Sequence, residues 1–519
     1  MKNQSFKRGL RAGIAAVATT ALLLLSGGTA AQAAPAIPTE GSITFHKFEQ
    51  PAQNGADNNG LVLPEGATDN WTALAGAEFT ATKVPGIELS TNEGWLAAQD
   101  LTVDEAGKLV AGVSGSKSGL TDDKGLATIT KLPIGLYFVD ETTTPTGHIG
   151  AAPFLVAIPM THPTELDKWI TNVHVYPKNA LVGSKTVEDK DAIKLGDEVV
   201  WTIKGAVQAP ASGQSITGYA IADKLDGKLT YSAAEPAVAS IKQDEDVIPL
   251  DVDTDYIVKH FPTTNTVAAV LTATGLTKLT SAKLANPTTQ VQLVVPTTVN
   301  AIGTIKNEGL IFPNGESVDQ FFGDDPTDPT DPTLPPCEEN CYVTPGTDTK
   351  WGDINFTKVK GDKTATGLVG AEFQIYAVDP ATPGATPLTL DVAGNSTDKF
   401  TSVAGGKVSI PGLRYSNWAN GAEIADDHAD FQPYWIVETK APAGYELLAK
   451  PIKVKVNETV EVLDGAASGD LINVVNVKKN AGFTLPLTGS SGTLILTAGG
   501  ILLLVVGGAL AIRRKKNAA

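Results

Sequence analysis

The sequence predicts an all-β chain of three tandem β-sandwich domains, and three observations carry that prediction. Short runs rich in Val, Ile, Thr and aromatic residues recur along it, for example at 43–47, 199–203 and 434–438. Gly, Pro, Asn and Asp punctuate these runs, and no long helical periodicity intervenes. At 519 residues the chain exceeds what one hydrophobic core organises and leaves room for about three domains plus tails.

The two tails read as addresses. Residues 1–33 carry Lys2, Lys7, Arg8 and Arg11, then an apolar stretch and a small-residue Ala31-Gln32-Ala33 site, the pattern of a cleaved signal peptide. At the other end, 480–489 contains Leu485-Pro486-Leu487-Thr488-Gly489. A mostly apolar run and the cluster Arg513-Arg514-Lys515-Lys516 follow within 490–519, which predicts a membrane-spanning segment with a cytoplasmic basic end. Pentapeptide, span and basic tail in that order resemble the cell-wall sorting signal of Gram-positive bacteria. The resemblance implies cleavage between Thr488 and Gly489 by a sortase cysteine.

The net charge of −17 includes eight cations in the two removed segments, so the mature piece stands near −25. Such an acidic surface disfavours nucleic acid and suits a soluble, self-repelling surface protein. The two cysteines, Cys337 and Cys341, lie in one tight turn and are expected to form a local disulfide outside the cell.

Domains are expected at 34–178, 179–322 and 351–479. An acidic, Pro-rich stretch of Asp-Pro-Thr repeats at 323–350 is expected to be a semi-stiff spacer. The first and third domains echo each other: Ile43-x-Phe45-x-Lys47 matches Ile354-x-Phe356-x-Lys358, and Leu74-Ala-Gly-Ala-Glu-Phe79 matches Leu368-Val-Gly-Ala-Glu-Phe373. They are expected to be variants of one fold.

Within these strands some charged side chains should point inward, because residues two apart share a face. Lys358 follows Ile354 and Phe356; Glu438 follows Tyr434 and Ile436; Asn476 follows Ile472 and Val474. A buried amine, carboxyl and amide in one small domain are costly unless they meet. Desolvation would leave the amine neutral and the carboxyl protonated, and attack of the amine on the amide with loss of ammonia would remove every buried charge. In the middle domain Asp223 shares a face with Tyr219 and Ile221, while Lys185 and Asn307 lie on its first and last strands. Lys224, Asp226 and Lys306 are the neighbouring alternatives. In the first domain Lys47 and Glu141 fit the same pattern with Asn172 as the candidate acceptor, but its last strand must also carry the motif at 169–178, and a bond there is left open.

Tyr434-x-x-x-Glu438-Thr439-x-Ala441-Pro442-x-Gly444-Tyr445 resembles the E-box of Cna-B-type domains in sortase-assembled pilins, with Ile436 where Leu is usual. The run from Trp169 through Val173, Val175, Tyr176 and Pro177 to Lys178 resembles the pilin motif W-x3-V-x-V-Y-P-K at every fixed position. On these residues the chain is similar to the major shaft pilins of Gram-positive bacteria, and in layout to actinobacterial fimbrial shaft subunits. The resemblance implies immunoglobulin-like domains of Cna-A and Cna-B type. It implies internal Lys185–Asn307 and Lys358–Asn476 bonds assisted by Asp223 and Glu438, and an intersubunit bond from Thr488 to an exposed Lys178.

Implied partners are further copies of the chain, a pilus-specific and a housekeeping sortase, a minor tip pilin, peptidoglycan, and a host or bacterial surface receptor. A minor pilin or monomeric wall-anchored adhesin is the alternative function. No metal, cofactor or enzymatic site is expected. The six histidines lack metal-ligand spacing, and Ser114-Gly-Ser-Lys117 stands in a Gly/Ser-rich loop without a companion motif.

Overall fold

The computed structural model describes residues 36–52, 58–210, 213–325, 328–330, 341–361, 365–463, 469–471 and 473–479. The signal segment, Cys337, Ile472, Thr488, Gly489 and the apolar C-terminal run lie outside them. The described chain forms three β-rich units, each with its own buried core.

In the first unit Glu40–His46 runs parallel to Asn172–Val175 and antiparallel to Leu126–Pro133. It faces a four-stranded sheet in which Glu78–Lys83 and Gly135–Thr143 are central. Alternation puts Ile43, Phe45, Phe79, Val139 and Val173 between the sheets, and Phe45 stacks on Phe79 at 4.3 Å. Two short helices, Asn92–Asp100 and Val103–Val110, cover the outer face of the second sheet, the latter opened by a Thr102–Glu105 capping box.

The middle unit packs a sheet built around Glu198–Ala206 and Gln290–Val299 against one built around Ala220–Lys224 and Thr266–Leu271, closing over fully buried Trp201. In the third, Thr347–Lys360 pairs with Lys407–Arg414 and, in parallel, with Asn473–Asn476. Opposite lies a sheet centred on Glu372–Tyr376 and Tyr434–Lys440.

The predicted echo has a structural counterpart. Phe79 registers opposite Glu141 and Phe373 opposite Glu438, each beside a bulge at the same place in the pair.

Two boundaries fall elsewhere than the sequence suggests. Lys178–Leu181 pairs in parallel with Phe48–Glu49 and antiparallel with His148–Ile149, so the first unit continues past residue 178. Pro177 interrupts one ladder, and the chain resumes pairing at once in the next. The stretch 323–350 is not spacer throughout: Tyr342–Val343 pairs with Gly309–Phe312, and Thr347 to Trp351 pair with Gly303–Asn307. Acidic Pro-rich composition favours extended chain, and extended chain beside an open sheet edge can join it.

The 14-residue strand Thr347–Lys360 therefore begins in the middle unit's ladder and ends in the third unit's core. Beside it Arg414, fully buried, donates to carbonyls of both units: Ala192 at 2.9 Å, Lys190 at 3.1 Å, and Tyr415 and Trp418. Asp189 and Asn420 exchange backbone–side-chain hydrogen bonds across the same junction.

Candidate functional site

Each unit holds one lysine, one asparagine and one carboxylate buried together. In the third, Lys358, Glu438 and Asn476 lie at 0, 4 and 2 % exposure. Lys358 Nζ contacts Asn476 Oδ1 and stands 3.1 Å from Glu438 Oε1. Asn476 Nδ2 donates to both Glu438 oxygens, at 2.9 and 3.1 Å, so one carboxylate spans amine and amide nitrogen.

The first unit repeats this arrangement with Asn179. Lys47 Nζ contacts Asn179 Oδ1 and is 2.6 Å from Glu141 Oε2, while Asn179 Nδ2 donates to Glu141 Oε1 at 2.6 Å. Ala151 N–H fixes Glu141 from behind at 2.9 Å. Asn172 does not join this cluster. It is exposed, facing away from Val173 and Val175, and its side chain bonds Ser42, Thr44 and His174. The signal that identifies Asn179 is register: Asn476 pairs with Lys360 and Asn179 with Glu49, each two residues beyond the buried lysine on a parallel strand.

In the middle unit Lys185 Nζ lies 2.7 Å from Asp223 Oδ1, and Asn307 Nδ2 donates to Asp223 Oδ2 at 3.2 Å. Here the amine donates to the Glu308 carbonyl at 3.3 Å, and Asn307 Oδ1 has no hydrogen-bond partner among the described residues. Lys224 and Lys306 point outward and Asp226 caps a turn, so none of the three alternatives joins the site.

Burial dominates the electrostatics. It pulls the amines of Lys47 and Lys358 down to about 8 against the opposing pull of their glutamates. Lys185 is likewise lowered and the Asp223 carboxyl raised, both chiefly by burial. Each carboxyl group faces the amide nitrogen rather than the amide carbonyl and accepts hydrogen bonds from it. That placement suits a proton relay from Nζ to a departing Nδ2.

Lys178 heads the strand that also carries Asn179. The sequence predicts it exposed; it is half-buried, its amine 4.5 Å from the centre of the Trp71 ring, and burial lowers its pKa. It borders a cleft of about 410 Å³ between the first and middle units, lined also by Gln50, Tyr176, Ala151 and Gln208. Of the motif's apolar residues, Val173 and Val175 are buried. Trp169 sits in a separate short pairing and packs half-buried on Trp95, while Ile170 takes the buried position. Cys341 is buried and disulfide-bonded.

Residues 38–180 match the N-terminal D1 domain of Gram-positive pilin subunits, 352–465 match a prealbumin-like fold domain, and 477–518 match the LPXTG cell wall anchor motif. The whole chain is 33 % identical over 556 aligned residues to the type 1 fimbrial subunit of Actinomyces viscosus, covering 99 % of it. It is 32 % identical to the type 2 subunit of Actinomyces naeslundii, again over 99 % of that protein. The solved structure of the fimbrial protein FimP from Actinomyces oris superposes over 86 % of this chain and 99 % of its own, with 29 % identity and a TM-score of 0.54. The full-length major pilin SpaD from Corynebacterium diphtheriae superposes over 85 % of this chain and 97 % of its own, at 25 % identity and 0.57. The molecule is thus a structural subunit of an extracellular, cell-wall-anchored pilus. No part of the sequence is left outside these matches, and the chain belongs to the sortase-assembled fimbrial shaft pilins of Gram-positive bacteria.

Proposed function

We propose that the shaft forms by an amide bond from the Thr488 carbonyl of one subunit to Lys178 Nζ of the next, and that each subunit is locked internally by Lys47–Asn179, Lys185–Asn307 and Lys358–Asn476 bonds. The observation that carries the internal bonds is that each buried lysine shares one carboxylate with a buried asparagine. A neutral amine attacks Asn Cγ, the carboxylate accepts the Nζ proton and delivers it to Nδ2, and ammonia leaves. In the first and third units amine and amide are held in contact, and in the middle unit both meet the same carboxyl group, so most of the entropic cost of the encounter is met by folding. The product is a neutral amide where a titratable amine stood, with the carboxyl group regenerated.

For the intersubunit bond, support comes from Lys178 bordering an open cleft at the junction of two units. A pilus-specific sortase would present Thr488 as a thioester, and a housekeeping sortase would join the last subunit to peptidoglycan. The subunit is a substrate in both reactions and supplies no active site of its own. A minor tip pilin and a surface receptor are further partners proposed on family membership alone.

The test is wall-released protein on a denaturing gel after boiling and reduction, wild type beside Lys178→Ala. A ladder lost in the variant is the expected result. A ladder retained in the variant overturns the Lys178 assignment, and a wild type that runs only as monomer favours the wall-anchored adhesin instead. Intact mass of the folded ectodomain reads the internal bonds, one ammonia lost for each.

A further inference from the structure

We propose that Trp71 is the positioning residue for the intersubunit bond, its indole face holding the Lys178 amine at the mouth of the cleft between the first and middle units. The proposal rests on the reading of Lys178 as the acceptor and extends it to a residue outside the pilin motif.

Trp71 reaches Lys178 through a short, tightly tied loop. Its own N–H closes a turn onto Thr68 at 3.0 Å. Glu49 N–H donates to Thr72 at 2.9 Å, Leu74 N–H donates to Lys47 at 3.0 Å, and Phe48 bridges to Ala73. The Phe48 ring meets Trp71 edge-on at 5.2 Å, and Phe48 is the residue registered opposite Lys178 in the parallel pair. The indole is thereby fixed from one side by the loop and from below by Phe48. On the same strand pair Asn179 meets Lys47, so the next peptide is pinned as well.

An indole is suited to this task in a way that a carboxylate is not. Among the described residues the Lys178 amine has no hydrogen bond or ion pair, and the ring at 4.5 Å is its polar contact. A free lysine head samples many rotamers, and attack requires one of them. A carboxylate would restrain the head but stabilise the ammonium form, which is no nucleophile. A ring face also attracts the ammonium form, but more weakly, and it shields the head from water, so the head is restrained at a smaller cost to the free amine. That amine attacks the Thr488 carbonyl carbon held as a thioester. The C–N bond forms as the C–S bond breaks, and the sortase thiolate leaves with the proton that the nitrogen gives up.

The experiment follows the rate of ladder formation by pulse-chase in cells carrying full-length Trp71→Phe, Trp71→Leu or Lys178→Arg. First-domain integrity is checked by intact mass at the Lys47–Asn179 bond. Trp71→Leu keeps apolar bulk without a ring and should slow assembly roughly fivefold, while Trp71→Phe should stay within about twofold of wild type. Fluorotryptophan incorporation, which weakens the negative ring face at constant shape, should slow assembly progressively with fluorine number. It should have no effect in the Trp71→Phe background, and this arm decides the matter if Trp71→Leu fails to fold. Wild-type rates for Trp71→Leu, equal slowing of Leu and Phe, or indifference to fluorination would overturn the role of Trp71. A ladder that persists in Lys178→Arg would instead overturn the acceptor assignment beneath it.

Discussion

Glu438 touches both nitrogens that must exchange a proton, and no other carboxylate among the described residues touches either. Glu438→Ala should therefore leave Lys358 and Asn476 unjoined, read as one ammonia retained in the intact mass. By analogy with a cross-link closing a loop of this length, the stability lost is on the order of 4–5 kcal/mol. The free amine left in Asn476→Ala carries a second, pH-dependent signature. Burial holds Lys358 at about 8 when folded against 10.5 when unfolded. Between those values the unfolded chain binds more protons, so stability rises with pH across the window, and below about 8 the full cost of charging the buried amine is felt. Chemical denaturation of Asn476→Ala at pH 7, 9 and 10.5 should show that rise, and the cross-linked wild type should not. In the first unit, Asn179→Ala should abolish the internal bond, while Asn172→Ala should still show its one ammonia lost against the mass of the substituted sequence. Residue-level reading pointed Asp223 and the third-unit set inward, because strand alternation shows which charges face a core, and these side chains are buried; it left the first-unit set open. It missed Asn179, because the choice of partner depends on a parallel register between strands more than a hundred residues apart.

At the scale of elements, the strand Thr347–Lys360 and the Arg414 side chain decide whether the middle and third units unfold together. Arg414 satisfies carbonyls from both units inside a buried junction, and truncation strands those acceptors. Arg414→Ala should cost about 3 kcal/mol. It should also split a single calorimetric transition of the two-unit fragment into two, whereas an unchanged single transition would show that the shared strand suffices. Composition hid this junction. Arg414 ends an ordinary strand pattern, and its role appears only when the loop at 189–195 of another unit closes over it. The Asp-Pro-Thr repeats were legible as non-core chain, but the return of Tyr342–Val343 and Thr347–Lys360 to the middle unit was not. Neither segment differs from other β-prone runs until an unpaired edge is available.

Across the whole molecule, three cores and the first-to-third echo were readable from punctuation and repetition alone. How the units are fastened to each other was not. The fastening has a consequence for a fibre under tension. With Lys178 and Thr488 as the joined ends proposed above, load would enter at Lys178 and run toward Thr488, and everything before residue 178 would hang beside the line of force. With the internal bonds in place, force crosses the middle unit from Lys185 to Asn307 and the third from Lys358 to Asn476, bypassing both folds. The main stretch of polypeptide left in series between the cross-links is 307 to 358, and much of it is the hairpin-like return held by the Gly303–Asn307 and Thr347–Lys360 ladder. Pulled hard enough to open that ladder and then to draw Gly309–Phe312 out of its sheet, each subunit would pay out up to about 170 Å of chain before a covalent limit is reached. The acidic segment that reads as a spacer would then behave as a fuse: a short, reversible length of slack in a cable that is otherwise inextensible.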